Sequence, residues 1–247
     1  MMVSSVVEEI TSALDYPELA GARILITGLE SGHGVDIARA FAEAGCRLVL
    51  QTPTLDIELD VVLEIIARDA AEVRVSSDPI ADENEALKFA QSAIAAYGGL
   101  DVVINLARLD DTGLSSDATP EEIEDRLAST LGRPLKLTQV IANRMQITWK
   151  EGLILNIVTQ RHASTPAAAH LGRIARAALS ALTRREATNW ADKAIRINAI
   201  VPAPALGMRN ASEATLHSEP EIAGLALHLA GREGKTLSGL VFDAAHA

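Results

Sequence analysis

Tyrosine is scarce in this 247-residue chain: Tyr16 and Tyr97 are the only two, both in its first half. Chemistry that needs a phenol as proton donor has no other candidates. The single cysteine, Cys46, excludes an intramolecular disulfide framework and a cysteine-based metal cluster. None of the six histidines pairs at the HxxxH spacing of a helical metal site. No apolar run approaches the roughly 20 residues of a membrane span. Basic residues are also in deficit. The 22 Lys and Arg against 33 Asp and Glu leave a net charge of −11, which argues against nucleic acid or an anionic membrane as partner. The amino-terminal stretch is acidic where a secretory signal would be basic, so the expected location is a reducing cytoplasm.

What is present is a chain with 48% hydrophobic and 22% charged residues, enough for one large α/β domain with a sizeable core. Residues 1–20 read as an extension, with Val6, Ile10 and Leu14 at helical spacing and Pro17 as a stop. From residue 21 strands and helices alternate. ARILIT, RLVLQT, EVRVSS, LDVVINLA, LILNIVT, RINAIVPA and LSGLVFDA read as strands. Helical stretches lie between them; EEIEDRLASTL and PLKLTQVIANRMQ read as separate segments, and a long helix covers roughly 167–190. Repeated βα units predict a doubly wound, seven-stranded parallel Rossmann-type sheet over 21–247, with 22–27 and 101–107 as neighbours.

The first strand runs into Thr27-Gly28-Leu29-Glu30-Ser31-Gly32-His33-Gly34. Glycines at a strand-to-helix turn allow positive φ and let a diphosphate approach the amides of a helix amino end. This turn resembles the TGxxxGxG of the short-chain dehydrogenase/reductase family. The resemblance continues through Asp78, GGLDVVINLA, RINAIVPAPALG and PEIAGLALHLAG to LSGLVFDA, covering about residues 19–245. It implies a nicotinamide dinucleotide held by Gly28, Gly32, Gly34, Asp78 and Asn105. It also implies catalysis by serine, tyrosine and lysine, with an asparagine in the proton relay.

Those four positions fall on Thr159, Gly172, Arg176 and Thr130. Counting thirteen from Thr159 and four back from Arg176 both reach Gly172, which carries no proton. Arg176 is cationic but has no phenol to activate. His170 and His162 are the nearby proton carriers; each also reads as a surface histidine. Cofactor features differ too. The second strand is followed by Thr52 and Pro53, without the acid or base that selects NAD or NADP. His33 either obstructs or binds the diphosphate. Leu106 and Arg108 stand where the family has asparagine and glycine, and Gly207 replaces the threonine that meets the carboxamide. Between Gly207 and Pro220, MRNASEATLHSE is too short for a helical substrate lid. Asp78 has a second reading as a loop or helix cap.

The segments that assemble the family into tetramers remain. Ala178, Ala181 and their neighbours make the 167–187 helix apolar over more than one face. The chain thus resembles heteromeric members of the family, such as the hydroxyacyl-CoA dehydrogenase of the benzylsuccinate pathway of anaerobic toluene degradation, in which one subunit type lacks a working site. That implies a non-catalytic subunit in a homo- or hetero-oligomer with an active paralogue that carries the NAD(P), and no dinucleotide tightly held by this chain. An active oxidoreductase with atypical residues and a ligand-sensing module on the same fold are the alternatives.

Overall fold

Strand runs such as Ile24-Leu25-Ile26 carry no polar break, so both faces must be covered. In the computed structural model they are. Residues 16–244 are described, apart from 79, 81, 148–150, 161–164, 203–215 and 217. The strands are β1 Arg23–Thr27, β2 Arg47–Gln51, β3 Glu72–Ser76, β4 Val102–Leu109, β5 Gly152–Gln160, β6 Ile195–Pro202 and β7 Val241–Ala244. The helices are α1 Val35–Glu43, α2 Ile57–Asp69, α3 Glu83–Tyr97, α4 Pro120–Ile147, α5 Pro166–Trp190 and α6 Glu219–Ala230.

The sheet order is β3-β2-β1-β4-β5-β6-β7, with every pair parallel. The expected pairing of β1 with β4 is present, Ile24 opposite Val102 and Thr27 opposite Asn105. Strand order reverses between β1 and β4, so the crevice beyond their carboxyl ends is the natural ligand position. Side-chain alternation divides the core. Ile24, Ile26 and Leu48 pack with α1, α2 and α6; Leu25, Val49 and Val103 pack with residues of α3 and α4. Leu109, Val158 and Val201 continue that second face under α5.

Two local results differ from the sequence reading. The two segments on either side of Gly132 form one 28-residue helix, α4, running through Pro134. Proline has no N–H to give the carbonyl four residues back, so Thr130 loses its helical donor there. Residues 16–20 lie against the domain: Leu19 is in the core, and Glu18 accepts a hydrogen bond from the Arg232 amide at 2.8 Å. The rest of the extension, residues 1–15, lies outside the described residues.

Candidate functional site

The crevice is built from the glycine turn after β1, the end of β4 and the middle of α4. Gly28 and Gly34 have φ of 76° and 89°. A side chain on Gly28 would run into the Leu106 carbonyl oxygen, and one on Gly34 into the Leu106 side chain. Both glycines are therefore required by close approach to β4 as well as by φ. Gly32 has open space beside it. The turn is closed by Glu30 and His33, whose backbones exchange two hydrogen bonds of 3.0 Å.

Asn105 lies in the sheet at 0% exposure. Its Nδ2 donates to Asn156 Oδ1 at 2.8 Å and to Thr138 Oγ1 at 3.4 Å, and its Oδ1 accepts from Thr27 Oγ1 at 3.2 Å. It joins β1, β4, β5 and α4. Asp78 is exposed and braces its own turn through Ser76, while its carbonyl accepts from Gln51 Nε2 at 3.2 Å. The cap on α3 is Asp82.

A cavity of about 230 Å³ opens beside the turn, lined in part by Gly28, His33, Leu106, Arg108, Thr130 and Arg133. His33 is 4% exposed and its Nε2 has no hydrogen-bond partner among the described residues. Burial, then the neighbouring Arg108 guanidinium, lower its pKa to about 4, against a hydrogen bond with the Ala107 backbone. It is neutral at pH 7. Between pH 6.5 and 4 the unfolded chain binds the proton and the folded chain does not. Stability is therefore present at neutral pH and falls as the pH drops through that window, by on the order of 3 kcal/mol for a gap of this size. Urea midpoints at pH 7 and pH 4.5 should show His33→Phe losing less than the parent. Equal losses would refute the assignment.

The positions aligned with the family's catalytic groups are only partly assembled. Thr159, at the end of β5, is 2% exposed and its hydroxyl has no partner among the described residues. The next residue, Gln160, lies against Gly172, and its Oε1 stands where a side chain on Gly172 would begin. Gln160 Nε2 donates to Ala168 O at 2.8 Å and to Asp111 Oδ2 at 3.2 Å. Arg176 is turned to the last strand, donating from Nη2 to Asp243 Oδ1 at 2.6 Å. Thr130 faces the cavity with Arg133. His170 is exposed beside Arg173. His162, Gly207 and the short segment after it, apart from Leu216 and from Ser218 onward, lie outside the described residues.

Comparison with known proteins decides the family. The family model for short chain dehydrogenase matches residues 22–215. The chain belongs to the short-chain dehydrogenase family. It is 28% identical over 185 residues to glucose 1-dehydrogenase of Gluconobacter oxydans, covering 74% of this chain and 69% of that one. It is 29% identical over 250 residues to an uncharacterized oxidoreductase of Mycobacterium tuberculosis, covering 93% of each. Its fold matches the crystal structure of a hydroxysteroid dehydrogenase from Escherichia coli with a TM-score of 0.73 at 25% identity, covering 92% of this chain and 96% of that chain.

The family implies a nicotinamide dinucleotide, and the groups that would receive its diphosphate are engaged within this chain. The Gly28 amide donates to Gln51 Oε1 at 2.9 Å. Arg108 crosses from β4 to the turn, its Nη2 donating to Gly32 O at 2.6 Å. The Asp36 amide, in the first turn of α1, donates to Glu219 Oε1 at 3.0 Å. Thr52, at the ribose-reading position, is buried and donates to Thr54 O at 2.5 Å. As arranged, these residues do not fit a dinucleotide.

Sequence reasoning missed Gln51, Gln160, Glu219 and Asp243. Gln160 had a faint signal, being next to the aligned Thr159. Glu219 had none, since it is 183 positions from its partner Asp36. Among the described residues no group of three or more His, Cys, Asp or Glu could hold a metal, and no helix is long and apolar enough to cross a membrane.

Proposed function

We propose that this short-chain dehydrogenase is the non-catalytic subunit of an NAD(P)-dependent oxidoreductase assembly, of the hydroxyacyl-CoA dehydrogenase type, and that an active paralogue carries cofactor and turnover. One observation carries the reading: Gln160 fills the space beside Gly172 while Arg176 is tied to Asp243. The tyrosine and lysine positions are thus not empty. Other contacts use them, as in a site released from hydride transfer. Co-purification from the native source with mass spectrometry tests it. The expected result is a stoichiometric partner of the same family that has both tyrosine and lysine; recovery of this chain alone would overturn the reading.

The assembly face proposed is the outer side of α5. There Ala177 and Ala181 are exposed between Arg173 and Arg184, while Ile174, Ala178 and Leu182 are half-buried. Two alanines in the middle of a helix face let another helix approach closely. Ala181→Glu is expected to dissociate the oligomer into monomers with the thermal midpoint of the isolated fold little changed. Ala178→Glu should also cost intrachain packing, because Ala178 already touches the core under α5. Sedimentation of the Ala181→Glu variant at the parent's oligomeric mass would remove this face from the interface.

A ligand-sensing module is the second reading. It is supported by the cavity beside the exposed Arg133 and beside His33, whose Nε2 has no partner among the described residues.

A further inference from the structure

The amino end of α1 is the place where this fold meets phosphate, and here the chain's own carboxylate occupies it. The other five helices begin on a local hydroxyl or carboxylate. Asp56, Asp82, Thr165 and Ser218 cap α2, α3, α5 and α6, and Thr119 with Glu122 forms a capping box on α4. Helix α1 begins on Gly34, which has no side chain to offer. Glu219, from the first turn of α6, supplies the missing acceptor, taking the Asp36 amide at 3.0 Å.

The electrostatics are not those of a simple cap. A carboxylate at a helix amino end is stabilised by the amides and the dipole. Burial nevertheless raises the Glu219 pKa above the ordinary carboxylate range. The Asp36 amide opposes this, the Asp36 charge adds to it, and the Gly34 amide and Arg108 oppose it. A neutral side chain of the same shape would accept the same hydrogen bond without that desolvation cost. The charge therefore needs a reason beyond capping.

We propose that Glu219 is a built-in stand-in for the diphosphate, a residue that sets specificity by denying the glycine turn to dinucleotides. Its carboxylate satisfies the amides that would otherwise bind phosphate oxygens, and its charge repels an incoming diphosphate at the same position. Arg108 lies close enough to act on that carboxylate, and its guanidinium is also held by the Gly32 carbonyl. The Arg108 cation at the turn thus faces the chain's own anions, Glu219 and, at 4.0 Å, Glu30.

The test is calorimetric binding of pyrophosphate and of ADP-ribose at pH 7.5 to the full chain, Glu219→Gln, Glu219→Ala and an exposed control of equal charge change, Glu58→Gln. The parent and the control should show no binding at millimolar ligand. Glu219→Ala should gain at least tenfold in affinity for pyrophosphate, and Glu219→Gln a smaller gain, since it keeps the acceptor and loses only the charge. Should the alanine variant not fold, the near-isosteric glutamine variant decides the question. A parent that binds pyrophosphate as tightly as the variants, a control that gains equally, or variants that bind nothing would each overturn the proposal. None of those results touches the subunit reading, which rests on residues 160, 172 and 176 and on co-purification.

Discussion

The purified chain is expected to show no nicotinamide-linked turnover of any alcohol, ketone or hydroxyacyl thioester, and Gly172→Tyr is expected to leave that rate at the blank. The side chain of a tyrosine at 172 would have to begin where the Gln160 amide is held by Ala168 and Asp111. Even if Gln160 moved, the phenol would lack its activating cation. Arg176 is bound to Asp243 at 2.6 Å, and a guanidinium cannot take the lysine's part in a proton relay. General acid–base catalysis is ordinarily worth about 10²–10⁴ in rate. The larger effect is expected at the seat for the hydride carrier, because Gln51, Arg108 and Glu219 engage the groups that would hold it. The double variant Gly172→Tyr/Arg176→Lys should therefore remain inactive as well. Nicotinamide absorbance followed with NAD(H) and NADP(H) checks this, and turnover by the pure single-chain protein would refute it.

The largest effect on stability is expected at Asn105. Asn105→Asp keeps the shape and removes two donors, leaving a carboxyl oxygen facing Asn156 Oδ1 across the 2.8 Å now spanned by a hydrogen bond. The site is 0% exposed, so the new carboxylate has no water to turn to. Buried unsatisfied groups cost about 1–3 kcal/mol each and charged ones more, which puts the loss on the order of 4 kcal/mol at neutral pH. The sign with pH follows. A buried acid has its folded-state pKa raised, so the variant should be least damaged at low pH and lose stability as the pH rises through that raised value. Urea denaturation at pH 5 and pH 8 measures both parts. A midpoint within a few tenths of a molar of the parent at pH 8 would show that Asn105 is not the joint between β1, β4, β5 and α4.

Much of the architecture was legible in one dimension, because the features that build it are local. Apolar runs closed by glycine specify buried parallel strands, and the helices begin at Asp56, Asp82, Thr165 and Ser218 for reasons that act within three residues. The equal counts from Thr159 and Arg176 to Gly172 are positions along the chain, read by the spacing that the family resemblance implies. One local reading differs: EEIEDRLASTL and PLKLTQVIANRMQ read as separate segments, yet α4 runs through both because Leu131, Leu137, Ile141 and Met145 bury its inner side on both sides of Pro134. The state of the site belongs to the tertiary structure. The sequence put glycine and arginine at the positions where the resemblance expects tyrosine and lysine; only packing showed Gln160 against Gly172 and Arg176 turned to Asp243, 67 positions away. The sequence left His33 in the glycine turn either obstructing or binding a diphosphate, while burial beside Arg108 decides that the ring is neutral. The carboxylate at α1 comes from 183 positions away. Hydrogen bonds and desolvation act through space, and no periodicity or spacing along the chain encodes which distant side chain arrives.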